Sequence, residues 1–347
     1  MPTSLKTATN NILNGISIGL IVALVPGAIL NAIVKPLVPH APFLSIILAM
    51  TGIAAMLLPA TSAVCVGMLA KFTPIQTTCL ALAAAVGAGN AHFNQGQIAV
   101  TGSGNVLNIG ITIAIAYALI IFVGKRLKGY TILLLPTLTL LIGGEIGLVT
   151  LGPVTAFTTA IGKLIMQFTG LQPLIMGALM GICFAILVLS PISSVGIATA
   201  IEISGIAAGS ANLGITAAAF TVAIAGSSVN SLGTTISHFV GTPKIQMANV
   251  LKKPKLFIPS IINAAIVGSI GALFNVKGTP VSAGFGLSGL VGPLANLDAH
   301  PHATGSAIIV SLLLFIVLPV ALAFLSRYLF TDKLHLQTAE DFHIDYQ

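Results

Sequence analysis

The chain has 347 residues, of which 56% are hydrophobic and 6% charged, with a net charge of +7 and a mean hydropathy of +1.06. A soluble domain carries roughly 25% charged residues, so this composition cannot cover a water-facing surface and most of the exterior must face lipid. The longest stretches poor in apolar residues, 231–255 and 331–347, are too short to build a core of their own, which excludes an attached kinase, nucleotide-binding or DNA-binding domain.

At about 30 residues per span and loop there is room for roughly ten crossings. Apolar runs predict spans near 12–34, 44–70, 76–91, 105–124, 130–150, 153–169, 172–190, 206–230, 256–275 and 305–328. Residues 1–11 are polar with no small-residue cleavage site after a short apolar core, so the first span is expected to stay in place. With both termini on the cytoplasmic side, Lys6, Lys71, Lys125, Arg126, Lys128, Lys163, Lys244, Lys252, Lys253, Lys255, Arg327 and Lys333 lie inside, and Lys35 and Lys277 outside. That is the distribution the positive-inside rule requires, and it explains the net charge without nucleic acid as a partner.

Three stretches, 91–104, 191–205 and 277–304, are rich in Gly, Ser, Asn and Pro and fit poorly as ordinary spans. Backbone freed from helix bonds is tolerated at membrane depth only where protein encloses it, so these are expected to be re-entrant hairpins of the kind that bind transported solutes. The predicted class is an all-α polytopic membrane protein of about ten transmembrane helices with two or three such hairpins. One transmembrane domain covers 1–330 and a polar cytoplasmic tail covers 331–347. A five-residue echo, Asn108-Ile109-Gly110-Ile111-Thr112 against Asn212-Leu213-Gly214-Ile215-Thr216, would suit duplicated halves.

The densest polar strip holds Asn90, His92, Asn94, Gln95 and Gln97, followed by Asn105. Amides and an imidazole supply donors and acceptors together, as sugar hydroxyls require, although a plain extramembrane loop would have the same composition. Glu145 and Glu202 are the only acids before Asp298. An ionisable group inside a span costs several kcal/mol unless it faces a cavity, a partner or the interface, so both are candidates for contact with solute or proton, Glu202 beside the break that contains Ser193 and Ser194. Asn212 and His238 complete the candidate substrate-binding set; His238 falls in the main cytoplasmic loop, where it would meet either a partner or water. Asn296, Asp298, His300 and His302 lack a fourth ligand and helical spacing, and read as an outer loop rather than a zinc site. Cys65, Cys79 and Cys183 lie in apolar stretches with no paired spacing, which indicates packing residues rather than a disulfide framework. No cofactor motif and no catalytic constellation is present: there is no GxxxxGK[ST] pattern and no Ser-His-Asp arrangement.

The segments 190–201, 205–214 and 240–247, Ser-Pro-Ile-Ser-Ser-Val-Gly-Ile-Ala-Thr-Ala-Ile, Gly-Ile-Ala-Ala-Gly-Ser-Ala-Asn-Leu-Gly and Val-Gly-Thr-Pro-Lys-Ile-Gln-Met, resemble those of the PfoR-type family. Its members are described as membrane proteins similar to the EIIC subunit of the phosphotransferase system, and some as toxin regulators. The resemblance runs from the first span to about residue 330. It implies a homodimeric sugar permease of the bacterial inner membrane whose soluble partner subunits, of the EIIB type, phosphorylate the sugar; this chain has neither an EIIA nor an EIIB domain and would not itself be an enzyme. It also implies a glutamate and a histidine at the sugar, for which Glu202 or Glu145 with His92 or His238 are the nearest by chemistry. Two other readings remain open at this stage: a proton-coupled carrier of a small polar solute, and a ligand-sensing regulator that signals through the loop 231–255.

Overall fold

The computed structural model describes residues 5–35, 37–94, 96–124, 126–280, 282–301 and 304–344. They form two compact units, one of residues 1–30 and 34–157, the other of residues 31–33 and 158–347. The architecture is helical. Among the described residues six helices can cross a membrane by length and composition, or seven when a pair bent by 49° at Leu57 is counted as one span.

The first unit opens with α1 (Leu5–Val34), then the bent pair α2 (Ser45–Met56) and α3 (Leu58–Leu69). α4 (Pro74–Gly87) starts at a capping box, in which Gln76 N–H donates to Thr73 Oγ1 and Thr73 N–H to Gln76 Oε1, with Pro74 at the first helical position. The glycine-rich stretch that follows is a two-stranded antiparallel hairpin, β1 (Ala91–Asn94) and β2 (Gln97–Val100), with Ala91 opposite Val100. α5 (Val106–Gly124) comes next, then α6 (Thr131–Leu138), a π-helical turn over Thr139–Gly144, and α7 (Glu145–Met166), whose last turns belong to the second unit.

One sequence expectation is corrected here. The spans predicted over 130–150 and 153–169 form a single apolar run, Thr131–Gly170. Its 40 residues, at 1.5 Å each, give about 60 Å, twice the hydrocarbon thickness of a bilayer. Pro153 lies inside α7 without ending it.

In the second unit α8 (Pro173–Val188), α9 (Ser194–Ala200), α10 (Gly205–Ala225), α11 (Leu232–Val240), α12 (Met247–Lys252) and α13 (Phe257–Leu273) precede α14 (Val291–Asp298), α15 (Thr304–Leu312) and α16 (Leu318–Ser326). α10 is the axis of the unit: its span is 94% buried, against 28% for Thr131–Gly170 and for Gly305–Lys333. The sequence explains why. α10 is built mostly of Gly, Ala, Ser and Thr, and small side chains let helix backbones approach closely where no hydrophobic effect drives helices together.

A Cβ added at Gly214 would lie 2.3 Å from Gly181 O, and one at Gly268 2.3 Å from Gly177 O. Backbone contact therefore joins α8 to α10 and to α13. Side-chain hydrogen bonds add to it: Asn263 Nδ2 donates to Thr221 Oγ1 at 2.8 Å and Ser326 Oγ to Asn263 Oδ1 at 3.0 Å, linking α10, α13 and α16.

Replacing Gly214 with Val must force α8 and α10 apart. Gly214→Val is expected to cost about 1–3 kcal/mol or more, read as a lower thermal unfolding midpoint in detergent. Gly52→Val, in α2 where an added Cβ meets nothing within 4 Å, is not expected to lower that midpoint.

Candidate functional site

Between α8 and α10 the chain is broken twice. α8 ends before Ser190-Pro191 because proline cannot continue a helix and disfavours helical backbone at the residue before it. The orphan carbonyls at that end are taken up from far along the chain. Lys244 Nζ donates to Leu187 O at 3.3 Å, to Ile192 O at 2.9 Å and to Ser190 O, and Lys244 is only 7% exposed. An ammonium at a helix C-terminus is favoured by both the hydrogen bonds and the helix dipole. Burial pushes this ammonium down to about 7, and the three carbonyls are the groups that favour its protonated form.

The short helix α9 starts at Ser193, whose Oγ accepts from Gly196 N–H at 2.9 Å. It stops in a Schellman turn: Ile203 N–H bonds Ala198 O and Glu202 N–H bonds Thr199 O. The left-handed position of that turn usually belongs to glycine. Here it is Glu202, with φ +51°, followed by Gly205 at φ +61°. A left-handed backbone costs an L residue roughly 1–2 kcal/mol.

Glu202 is exposed and lines a cavity of about 420 Å³ together with Met166, Thr169, Pro173, Met176 and Ser204. The cavity reaches Ile206 and Ala207 in the first turn of α10, the positive end of a 21-residue helix. It therefore combines a carboxylate, hydroxyls and backbone N–H groups on otherwise apolar walls, a mixed donor and acceptor set suited to a small polar solute.

The other broken segment of this unit is tied to the first. Ser194 Oγ donates to Gly284 O at 2.9 Å, and a Cβ on Gly284 would lie 2.4 Å from Val195 Cα. Asn212, in the middle of α10 and fully buried, accepts from Gly286 N–H at 3.0 Å and donates to Ser282 Oγ at 3.3 Å. Gly205 and Gly278 exchange both backbone hydrogen bonds at 3.0 Å. Ser194 and Asn212 thus hold unwound backbone in place, while Ser193 is a helix cap.

His238 is fully buried in α11, outside every candidate span. Its Nδ1 lies 2.7 Å from Thr234 O and its Nε2 3.1 Å from Gln246 Nε2. With the amide donating to Nε2, the ring is neutral and its proton sits on Nδ1. Burial pushes the imidazole down to about 4, against the opposing pull of the Thr234 and Thr235 carbonyls.

In the first unit Asn90 is buried and donates to Met56 O at 3.1 Å and Gly102 O at 3.3 Å. Asn105 Oδ1 accepts from Leu107 N–H and Asn108 N–H at the start of α5. His92 is exposed on β1, Gln97 is exposed on β2 opposite Asn94, and Gln95 lies outside the described residues. Glu145 is exposed at the start of α7. The expected hydroxyl-binding strip is thus divided among structural amides and a hairpin surface. His300 Nδ1 pairs with Asn296 O at 2.8 Å, and His302 lies outside the described residues. Among the described residues no group of three His, Cys, Asp or Glu is placed to hold a metal ion.

Two residues that matter here were missed from sequence. Lys244 carried a signal only as one of the inner-loop cations and as part of the motif 240–247. Asn108, fully buried, donates to Gly87 O and to Gly147 O and accepts from Thr150 Oγ1 at 2.9 Å. The five-residue echo pointed to it: Asn108 and Asn212 are both buried helix amides that bond the backbone of other elements, and Thr112 and Thr216 both bond back to those asparagines' carbonyls, at 2.9 and 2.8 Å.

Interrupted helices beside a polar-lined cavity are the build in which membrane transport proteins bind their solutes. The family described as phosphotransferase system, EIIC, matches residues 10–344, and the chain belongs to that family. It is accordingly a membrane transporter of the EIIC type, the transport component rather than the phosphorylating one, and its family works with EIIB-type partners. Among curated proteins and solved structures no match to this chain is found.

The buried imidazole gives a pH signature. The unfolded chain takes up a proton near 6.5 and the folded chain only near 4, so as pH falls through that window the unfolded state gains on the folded one. The wild type should lose about 3 kcal/mol more stability than His238→Asn between pH 6.5 and 4, measured by unfolding in detergent at each pH.

Proposed function

We propose that the chain is the permease for a sugar or similarly polyhydroxylated solute, and that the cavity beside Glu202 is where the solute binds. The observation that carries this reading is the strained carboxylate: Glu202 occupies a left-handed backbone position that glycine fills at lower cost, and it lines the cavity at the start of α10. A carboxylate accepts hydrogen bonds from solute hydroxyls, while N–H groups of the first helical turn and Ser204 offer donors to the oxygens. In this reading the protein is a homodimer in the bacterial inner membrane, with cytoplasmic termini and re-entrant segments at 91–104, 191–205 and 277–304. A separate EIIB-type subunit phosphorylates the solute on the cytoplasmic side.

The test is uptake of labelled sugars and polyols into proteoliposomes, with and without an imposed pH gradient. Equilibration of one of them without a gradient is the expected result. Glu202→Gly relieves the left-handed strain, so it should leave stability unchanged or raise it by up to about 1 kcal/mol while abolishing uptake. Full uptake by Glu202→Gly would remove this residue from the site. Accumulation only under a pH gradient, lost with a protonophore, would favour a proton-coupled carrier instead. Binding without uptake would favour a sensor.

A further inference from the structure

The segment 338–344 is held as a bound peptide is held. Asn230 meets its backbone twice: Nδ2 donates to Phe342 O at 2.9 Å and Oδ1 accepts from Ile344 N–H at 3.0 Å. Gln246 Nε2 donates to Phe342 O at 2.7 Å, and Asn249 Nδ2 to His343 O at 2.9 Å. His343 is extended, with φ −62° and ψ 132°. Phe342 is the anchor, 1% exposed, seated against Gly226, where an added Cβ would lie 2.7 Å from Phe342 Cβ. Asp341 pairs with Lys253 at the rim. Three side-chain amides reading main chain, one buried aromatic and one rim ion pair are the elements by which a protein recognises an extended acidic and aromatic peptide.

The surface that does this is the polar stretch 226–253. It is also the stretch that carries His238, bonded to the same Gln246, and Lys244, two residues before Gln246, whose ammonium caps α8. We propose that 226–253 is a peptide-recognition site occupied in cis by residues 341–344, and that this strap, when seated, fixes the Lys244 cap on the break at 189–192. The consequence for transport rests on the reading of the Glu202 cavity; the strap itself does not, and its test needs no transport.

The experiment is amide hydrogen exchange on the full chain in detergent, comparing wild type with Phe342→Ala and Gly226→Ala. Exchange in 187–194 and 232–252 should quicken by on the order of tenfold or more, with α4 and α5 unchanged. A synthetic peptide of residues 336–344, added to the Phe342→Ala chain, should restore protection in both segments, and the same peptide carrying Phe342→Ala should not. Faster exchange confined to 338–344, or no rescue by the peptide, would overturn the proposal. Loss of protection throughout the chain, α4 and α5 included, would overturn it too, because the segment would then be core rather than ligand. If these results hold and Glu202→Gly still transports, the strap stands and the solute site is elsewhere.

Discussion

Backbone that leaves a helix inside an apolar environment must find new hydrogen-bond partners, at a cost of several kcal/mol for each group that fails. Much of this structure follows from that requirement. Asn108 holds the carbonyls of Gly87 and Gly147, Asn212 holds the N–H of Gly286, Ser194 holds the carbonyl of Gly284, and Lys244 holds three carbonyls at and beyond the end of α8. In each case a side chain on one element bonds the backbone of another at or next to a break. The breaks are therefore fixed features, and a fixed break is what lets helix termini and a carboxylate line a cavity without collapse.

The same bookkeeping explains why α10 is so poor in large residues. Its central amide can reach Ser282 and Gly286 only if the backbone of that segment comes close, and Gly286 against Asn212 O and Gly209 against Val276 O provide that approach. A larger residue would gain some dispersion energy and lose the alignment of the amide. Packing and polar satisfaction are one constraint here.

Legibility from the sequence divides along the same physical line. Hydropathy exposed the membrane class, and the density of Gly, Ser and Asn marked each broken segment, since those residues are placed where regular backbone fails. Glu202 was legible because a carboxylate in apolar surroundings is rare. What the sequence hid were long-range partners. Nothing local says that Lys244 caps a helix more than fifty residues upstream, or that His238 is sealed between Thr234 and Gln246. The hairpin at 91–100 was hidden because its strands are four residues each and lack an apolar alternation. The continuity of Thr131–Gly170 was hidden because Gly152-Pro153 reads as a stop, yet a proline in a membrane helix can be accommodated when neighbouring groups re-satisfy the freed carbonyl.

Glu202 and the segment 338–344 represent opposite uses of local energy. At Glu202 the backbone is left-handed, at a cost to stability, and the side chain is exposed at a cavity. At Phe342 nothing is strained: an aromatic ring is buried, its carbonyl accepts two amides, and the chain runs extended. Between them lies Lys244, whose backbone belongs to the polar stretch that seats the strap and whose ammonium reaches the break that precedes Glu202. One ammonium serves all three carbonyls, so its contact links that stretch to residues 187–192. Coupling of this kind needs only one long, rigidly held side chain, and burial supplies the rigidity.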